Sequence, residues 1–552
     1  MLTLDPYAAR SCPVKTHNLF RPGLERPDPR PTLFANRGGP EFVARILDRI
    51  AAGTGSVVDL RPLRDQPSQV QVEATLAALD SRADVVIGGL LPRDEQGHRS
   101  GRPDLLVRES TGYLPGMVKS QKLLDPRRDD TPLVASPVDD LQRREVRQGF
   151  RYRWHWRYQN VLQLAHFHRM LSAMGVGATG TPWALAIGTD EVDGAPGPAI
   201  WLDLSELAVP PAGGTVEPCE TSVSALQRYD DEFALRLRIA ESAGLLAPDE
   251  PAVIPPVVTG ECNWCPWWEV CRPQLDDDDL SLRISKSPLD SHEITALRRA
   301  GIVTVSDLAS ADLEQLLPTY LPQVGHRLGA EDRLRLAQRR SVLLRDGVHL
   351  ERTGEDAIDV PAAALEIDID IETSWDDRVY LWGFWVSDPA TGELGYRHFS
   401  DFSALDAASE AALAVEALGW LRERVSHGDA LVYHYSDYEV IRIARLAAAT
   451  DHPVLAWAVE YARTNFVDLF GIVRTNFFGT NGLGLKVVAT HGAGFAWRDE
   501  DPGGLNSMHW FADAVGGATP ELREQARTRV LEYNEDDVQA TWQLRRWLRS
   551  FG

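Results

Sequence analysis

The sequence is poor in cysteine and has no long apolar run. Five cysteines in 552 residues are too few to staple the chain, and no hydrophobic stretch approaches the ~20 residues that a bilayer span needs. A disulfide scaffold and a membrane-spanning protein are therefore not expected. The opening segment, MLTLDPYAARSCPVKTHNLF, lacks both a long apolar stretch and a small-residue cleavage site, so no secretory signal is expected and the cytoplasm is the default location. No GxxxxGK[ST] phosphate loop occurs, which argues against an ATP motor in this chain. Positive charge is also short: 57 Lys and Arg stand against 80 Asp and Glu, for a net charge of −23. That excludes a coat for nucleic acid or anionic membrane over the whole surface, but it leaves room for a local basic groove. No solenoid-type repeat is visible.

What is present is ordinary globular composition, 44% apolar and 25% charged. The length accommodates two to four domains at roughly 100–200 residues each. Three blocks emerge. Residues 1–275 contain all five cysteines and end in a Trp/Cys-rich segment before Asp276-Asp277-Asp278-Asp279, an acidic run that reads as a solvated linker. Residues 280–350 are helical in pattern, and a third block covers 358–552. In the first block ADVVIGGLLPR, GRPDLLVRES, WALAIGT and AIWLDL read as strands, with YLPGMVK a weaker one because of Pro115 and Gly116. QNVLQLAHFHRMLSAMG has helical spacing. In the third block the strands ALEIDIDIET, VYLWGFWVSD and ALVYHYS alternate with helical segments. The expectation is an α/β multidomain chain.

Cys262-Asn-Trp-Cys265 is a CxxC with Cys271 close behind, Cys12 lies far upstream, and Cys219 has no neighbour. Thiolates this close in sequence can grip one metal, and a ligand from the far end would clasp the block together. Zinc and an iron–sulfur cluster both suit such a set. The pattern resembles the iron–sulfur variety of RecB-like nucleases, which implies a restriction-endonuclease-like domain with a [4Fe–4S] cluster on Cys12, Cys262, Cys265 and Cys271.

The same block carries the other elements of that resemblance in order. Arg37-Gly38-Gly39-Pro40-Glu41 matches the Gly-rich helix start with its acidic ligand. Asp104 followed by Lys119 matches the PD-(D/E)xK pair, and Gln163 opens a segment like QxxxY with Phe167 for Tyr. Such centres hold Mg²⁺ or Mn²⁺ on carboxylates, with a lysine near the phosphate. The family has an acid two residues before the lysine, whereas this chain has Met117, and a thioether is no ligand for a hard cation. Residues 143–158 pack six arginines among five aromatics, so Arg151, Arg153, Trp154, Trp156 and Arg157 are candidate nucleic-acid contacts. An element burying its aromatic side against the core is the alternative.

HEITALRRAGIVTVSDLASADLEQL, with Gly301 between two helical patterns, resembles a helix-hairpin-helix unit, which implies either phosphate contacts or a packing spacer. Farther on, Asp370 and Glu372 are two apart on an expected strand, so both carboxylates face one side. Two acids on one face repel unless a cation lies between them. Glu439 follows the strand ALVYHYS, and Tyr533 and Asp537 open the last helix. These motifs resemble the DEDD exonuclease branch of the RNase H-like superfamily, most closely its YprB-type domain. The resemblance implies two-metal phosphodiester hydrolysis on Asp370, Glu372, Glu439 and Asp537, with Tyr533 orienting water. Glu439 replaces the usual aspartate.

The whole order resembles putative RecB-like nucleases with a C-terminal YprB-type domain, some of which continue into a helicase. It implies a metal-dependent nuclease in DNA repair or processing, acting on DNA or alternatively RNA, with a separate helicase as a candidate partner. A non-catalytic nucleic-acid-binding scaffold with decayed centres is the rival reading. The acids of the C-terminal block favour the enzyme, with cleavage expected there and substrate grip in the N-terminal block.

Overall fold

The computed structural model describes residues 2–28, 39–126, 132–192, 195–209, 222–247, 250–325, 327, 329–500 and 503–552. The chain divides into two compact units. One comprises Met1–Arg283, Leu289–Thr304 and Ala311–Arg335. The other comprises Ile284–Pro288, Val305–Ser310 and Leu336–Gly552. Among the described residues no helix is long and apolar enough to cross a membrane.

The first unit is built on an eight-stranded mixed sheet. Its strands are β1 (Val57–Asp59), β2 (Val85–Ile87), β3 (Leu105–Glu109), β4 (Gly112–Val118), β5 (Leu133–Ser136), β6 (Glu145–Arg147), β7 (Trp183–Ile187) and β8 (Ala199–Asp203), in the order β1-β2-β3-β4-β7-β8-β5-β6. YLPGMVK lies in β4 despite Pro115 and Gly116, which oppose Leu106 and Leu105 of β3. Helices α1 (Pro13–Phe20), α2 (Gly39–Ala51), α3 (Trp154–Ala173) and α4 (Ala225–Gly244) accompany the sheet, and a 3₁₀ turn over Ala8–Arg10 precedes α1. Met117 of β4, Ala8 and Ala9 of the turn, and Leu164 and Ala165 of α3 share one buried cluster. The Arg/aromatic alternation of 151–158 is not one strand: a short strand ends at Tyr152 and α3 begins at Trp154. In the middle of the sequence, Ser291–Arg299 and Val305–Ser310 are helical, and Gly301, between them in sequence, takes a left-handed φ of 81°.

The second unit contains a five-stranded sheet: β9 (Leu365–Thr373), β10 (Val379–Asp388), β11 (Glu393–Ser400), β12 (Ala430–His434) and β13 (Phe466–Asp468), in the order β11-β10-β9-β12-β13. β9, β10 and β11 form an antiparallel meander, while β12 and β13 join parallel to β9. Helices α5 (Ala407–Arg424), α6 (Tyr438–Ala449), α7 (Gly504–Gly516) and α8 (Pro520–Arg549) pack on this sheet. α8 starts with a Thr519 side-chain cap and Pro520 in its first turn, both favourable where backbone N–H groups lack partners.

The alternation of ALEIDIDIET decides the layers. Ile367, Ile369 and Ile371 enter an apolar cluster with Trp382, Phe384 and Leu418. Glu366, Asp368, Asp370 and Glu372 therefore share the opposite face, which meets α8. Arg545 of α8 is 1% exposed and pairs with Asp368 at 3.0 Å and with Glu366, while Arg549 pairs with Glu366 at 2.6 Å. Two of the four acids are thus neutralised. Among the described residues Asp370 and Glu372 have no such arginine.

Candidate active site

Asp370 and Glu372 at the far end of β9 meet Asp537 of α8. A ligand oxygen from each lies within 4.8 Å of the other two, and among the described residues no other three metal-ligating side chains converge so closely. Each carboxylate is held by a neutral donor. Asn534 Nδ2 donates to Asp370 Oδ2 at 2.7 Å, and Trp497 Nε1 donates to Asp537 Oδ1 at 2.7 Å. Ser507 Oγ, fully buried on α7, donates to Glu372 Oε2. Tyr396 of β11 donates to Asn534 Oδ1 at 2.8 Å and fixes the amide's orientation. Asn534 fits only because residue 383, opposite Asp370, is glycine: a Cβ there would lie 1.7 Å from Asn534 Oδ1.

Burial, reinforced by like charge, sets the ionisation of the site. Burial, then Asp537, Glu372 and Glu439, push the Asp370 carboxyl well above the usual carboxylate range. Burial and Asp537 push Glu372 up to about 8, and burial raises Asp537. Lys486 opposes the shift in all three. Its ammonium lies 4.6 Å from the Tyr533 ring centroid and donates to the Tyr533 hydroxyl at 2.6 Å. Tyr533 stands one helical turn before Asp537, so both face the acids. Two buried carboxylates and a partly buried one within 4.8 Å of one another are costly as anions without a cation, and Mg²⁺ or Mn²⁺ takes hard oxygen ligands of this kind.

Glu439 lies in the first turn of α6, buried, its Oε2 without a hydrogen bond among the described residues but 3.7 Å from His434 Nδ1. It is outside the tight trio, although its charge reaches Asp370. Of its acidic neighbours, Asp437 is exposed, and Asp468 is occupied in accepting the backbone N–H groups of Ser436, Phe470 and Gly471 at 2.9–3.2 Å.

In the first unit, Cys12, Cys262, Cys265 and Cys271 line one cavity and form no disulfide. Glu261 closes it by accepting the Cys12 N–H at 3.1 Å and pairing with Lys15 at 2.9 Å. The Thr259 N–H points at Cys262 Sγ (3.4 Å) and Asn18 Nδ2 at Cys271 Sγ (3.7 Å). Burial pushes the Cys12 and Cys271 thiols up to about 11. Cys219 lies outside the described residues, as do Arg37 and Gly38.

Asp104 and Lys119 are neighbours across β3 and β4. The Val118 N–H donates to Asp104 Oδ2 at 2.9 Å, and burial raises the carboxyl against the pull of Lys119. Glu41, in the first turn of α2, is exposed and makes no hydrogen bond or ion pair among the described residues. Gln163 is buried and accepts from Arg10 at 3.1 Å. Met117 is 1% exposed and packed in the core. Of the arginine-rich segment, Arg153 pairs with Asp125 at 2.7 Å, Arg157 donates to the Lys122 carbonyl at 3.0 Å, and Trp154 packs on the core edge-on to Tyr152. Arg151 is exposed, and the Trp156 side chain lies outside what is described.

Asn534, Ser507, Trp497 and the arginine ladder were not legible as site residues. Asn534 alone carried a signal, since it lies three residues before Asp537 on the same helical face.

Residues 368–549 match the family model of the RNase_H superfamily. No curated protein and no solved structure matches the chain. The chain is thus a mixed α/β protein whose C-terminal part is an RNase H-like domain, of a kind that acts on nucleic acids as a nuclease.

Proposed function

We propose that the protein is a metal-dependent nuclease that hydrolyses phosphodiester bonds of DNA, with RNA as the alternative substrate, in DNA repair or processing. The observation that carries this reading is the trio of Asp370 and Glu372 on β9 with Asp537 on α8, which pairs with no arginine among the described residues, whereas the two preceding acids of β9 are neutralised. When bound, Mg²⁺ or Mn²⁺ on these carboxylates would activate water and stabilise the leaving oxygen. Glu439, buried with His434 as its neighbour and with its charge acting on Asp370, is the candidate fourth ligand. Tyr533, fixed by Lys486, would orient the attacking water, and Asn534, Ser507 and Trp497 hold the carboxylates in place. The test is cleavage of labelled single- and double-stranded DNA and RNA with Mg²⁺, Mn²⁺ or EDTA. Metal-dependent cleavage abolished by Asp370→Asn supports the reading, and cleavage indifferent to that substitution overturns it.

The finer assignments are the YprB-type character of 358–552, a helix-hairpin-helix at 280–350, a RecB-like domain over 1–275, and a [4Fe–4S] cluster on Cys12, Cys262, Cys265 and Cys271. The four cysteines line one cavity without a disulfide, which suits a metal group held on their thiolates, with zinc as the alternative to the cluster. Anaerobically purified protein should be brown, with about four irons per chain. Colourless protein with one zinc would overturn the cluster assignment.

The second reading, a non-catalytic nucleic-acid-binding scaffold, is favoured by one observation: Met117 occupies the position of an acid in the N-terminal centre. A chain that binds oligonucleotides but cleaves none with any metal would establish it.

A further inference from the structure

Two polar ties cross the cysteine cavity between segments far apart in sequence. Cys12 is the N-cap of α1, and Cys271 closes the short helix Trp268–Cys271. One tie reaches α1 from the later segment: Glu261 accepts the Cys12 N–H and pairs with Lys15. The other leaves α1: Asn18 Nδ2 donates to Cys271 Sγ at 3.7 Å. Lys15 is the one cation among the described residues that line the cavity, and Glu261 neutralises it. Much of the remaining lining is apolar, with Val14, Val257, Trp267 and Leu275 among it. The negative charge of four thiolates is therefore left to hydrogen-bond donors.

Three of the sulfurs find those donors in the main chain. The Thr259 N–H points at Cys262 Sγ at 3.4 Å, and the N–H groups of Val14 and Trp267 favour the thiolates of Cys12 and Cys265. Cys271 differs, because its donor is a side-chain amide. Asn18 is not among the lining residues, so it meets the sulfur without taking space from a bound group.

The Asn18 amide has one orientation. His17 and Asn18 are 1% and 2% exposed. The Val253 N–H donates to His17 Nε2 at 3.3 Å, which places the ring proton on Nδ1. Nδ1–H then donates to Asn18 Oδ1 at 2.9 Å. Turned over, the amide would set its NH₂ against that N–H and its oxygen against the Cys271 sulfur, two repulsive contacts. A main-chain N–H at residue 253 thus fixes, through two buried side chains, which end of Asn18 faces the cysteine. A neutral thiol is a weak acceptor, whereas a thiolate bound to metal is a strong one, and outer side chains of this kind orient and tune a metal's ligands.

We infer that Asn18, oriented by His17, donates to the Cys271 thiolate of the loaded cysteine set and thereby raises the reduction potential of the group held there. The inference rests on the reading that these four cysteines carry a [4Fe–4S] cluster. One-electron reduction adds negative charge to such a cluster, and a hydrogen bond to a ligand sulfur stabilises the more negative state. Asn18 is on this account a positioning residue, and His17 acts through it.

The experiment uses the full chain, purified anaerobically, with protein-film voltammetry and resonance Raman spectroscopy. Asn18→Leu keeps the branched shape and removes the donor. Brown, iron-loaded Asn18→Leu protein should show a more negative reduction potential than the wild type and a shifted Fe–S(Cys) stretching frequency. His17→Leu leaves the Asn18 amide in place but frees it to turn, so its potential should move the same way and less far. Leu19→Ala, an exposed change on the same helix, should leave both readouts unmoved. An unchanged potential in iron-loaded Asn18→Leu overturns the inference and leaves the cluster standing. Where Asn18→Leu retains no iron, His17→Leu decides: a more negative potential supports the inference and an unchanged one overturns it. A shift in Leu19→Ala as large as that in Asn18→Leu also overturns it, because the effect then belongs to α1 as a whole. Colourless wild-type protein containing zinc overturns the cluster reading, and the potential with it, before any variant is compared.

Discussion

Asn534 donates its amide N–H to Asp370 Oδ2 at 2.7 Å, across a strand position where glycine is required for the contact to exist. That bond orients one carboxylate of a trio that otherwise repels itself. Side chains that orient metal ligands typically contribute a factor of ~10–100 in metal affinity or activity. Asn534→Ala should therefore lower Mn²⁺ affinity, measured by calorimetry, on the order of 10–100-fold. Gly383→Ala should cost as much by displacing Asn534, and the double variant little more than either, because both remove the same bond. Additive losses would show that Gly383 acts by another route.

The acid trio should make the metal-free protein less stable than its neutralised variants. Asp370→Asn removes one of three like charges, so without metal its melting temperature should exceed that of the wild type. Added Mn²⁺ should raise the wild-type melting temperature, by about 2.7 kcal/mol of stability at a hundred times Kd, and leave Asp370→Asn nearly unmoved. Scanning calorimetry with and without EDTA checks both signs.

Arg545 bridges α8 to β9 from a fully buried position, and Asp368 beside it is 0% exposed. Arg545→Met leaves that aspartate without its cation and should cost about 3–5 kcal/mol in denaturant unfolding. Asp368→Asn in the same background should recover part of the loss.

A pH effect on stability is expected from His166. Its Nδ1 accepts from the Tyr229 hydroxyl at 2.9 Å and its Nε2 donates to the Ser100 carbonyl at 3.2 Å, so the neutral ring is fully bonded. Burial holds its pKa down to about 3, against 6.5 for a free histidine. The unfolded chain takes up a proton below 6.5 that the folded chain refuses until about 3. Stability should therefore fall as pH drops through this interval, and it should fall less steeply in His166→Gln. Urea midpoints measured across the interval decide it.

Much of the C-terminal site was written in local pattern. The two-residue spacing of Asp370 and Glu372 puts both on one strand face, and the four-residue spacing of Tyr533 and Asp537 puts both on one helical face; periodicity alone carries such statements. The same strand holds Glu366 and Asp368 at the same period, and nothing local separates those acids from the other two. The distinction lies in Arg545 and Arg549, nearly 180 residues away in sequence, which reach only half of the row. Ser507 and Trp497 are equally invisible, because a donor to a carboxylate needs no motif, only proximity. In the N-terminal block the sequence determined that Met117 could not ligate a hard cation, a matter of its own chemistry. That Arg10 would bond Gln163 and Asn160 was decided only by tertiary structure, since a contact between a turn and a helix some 150 residues away depends on how the fold brings distant segments together.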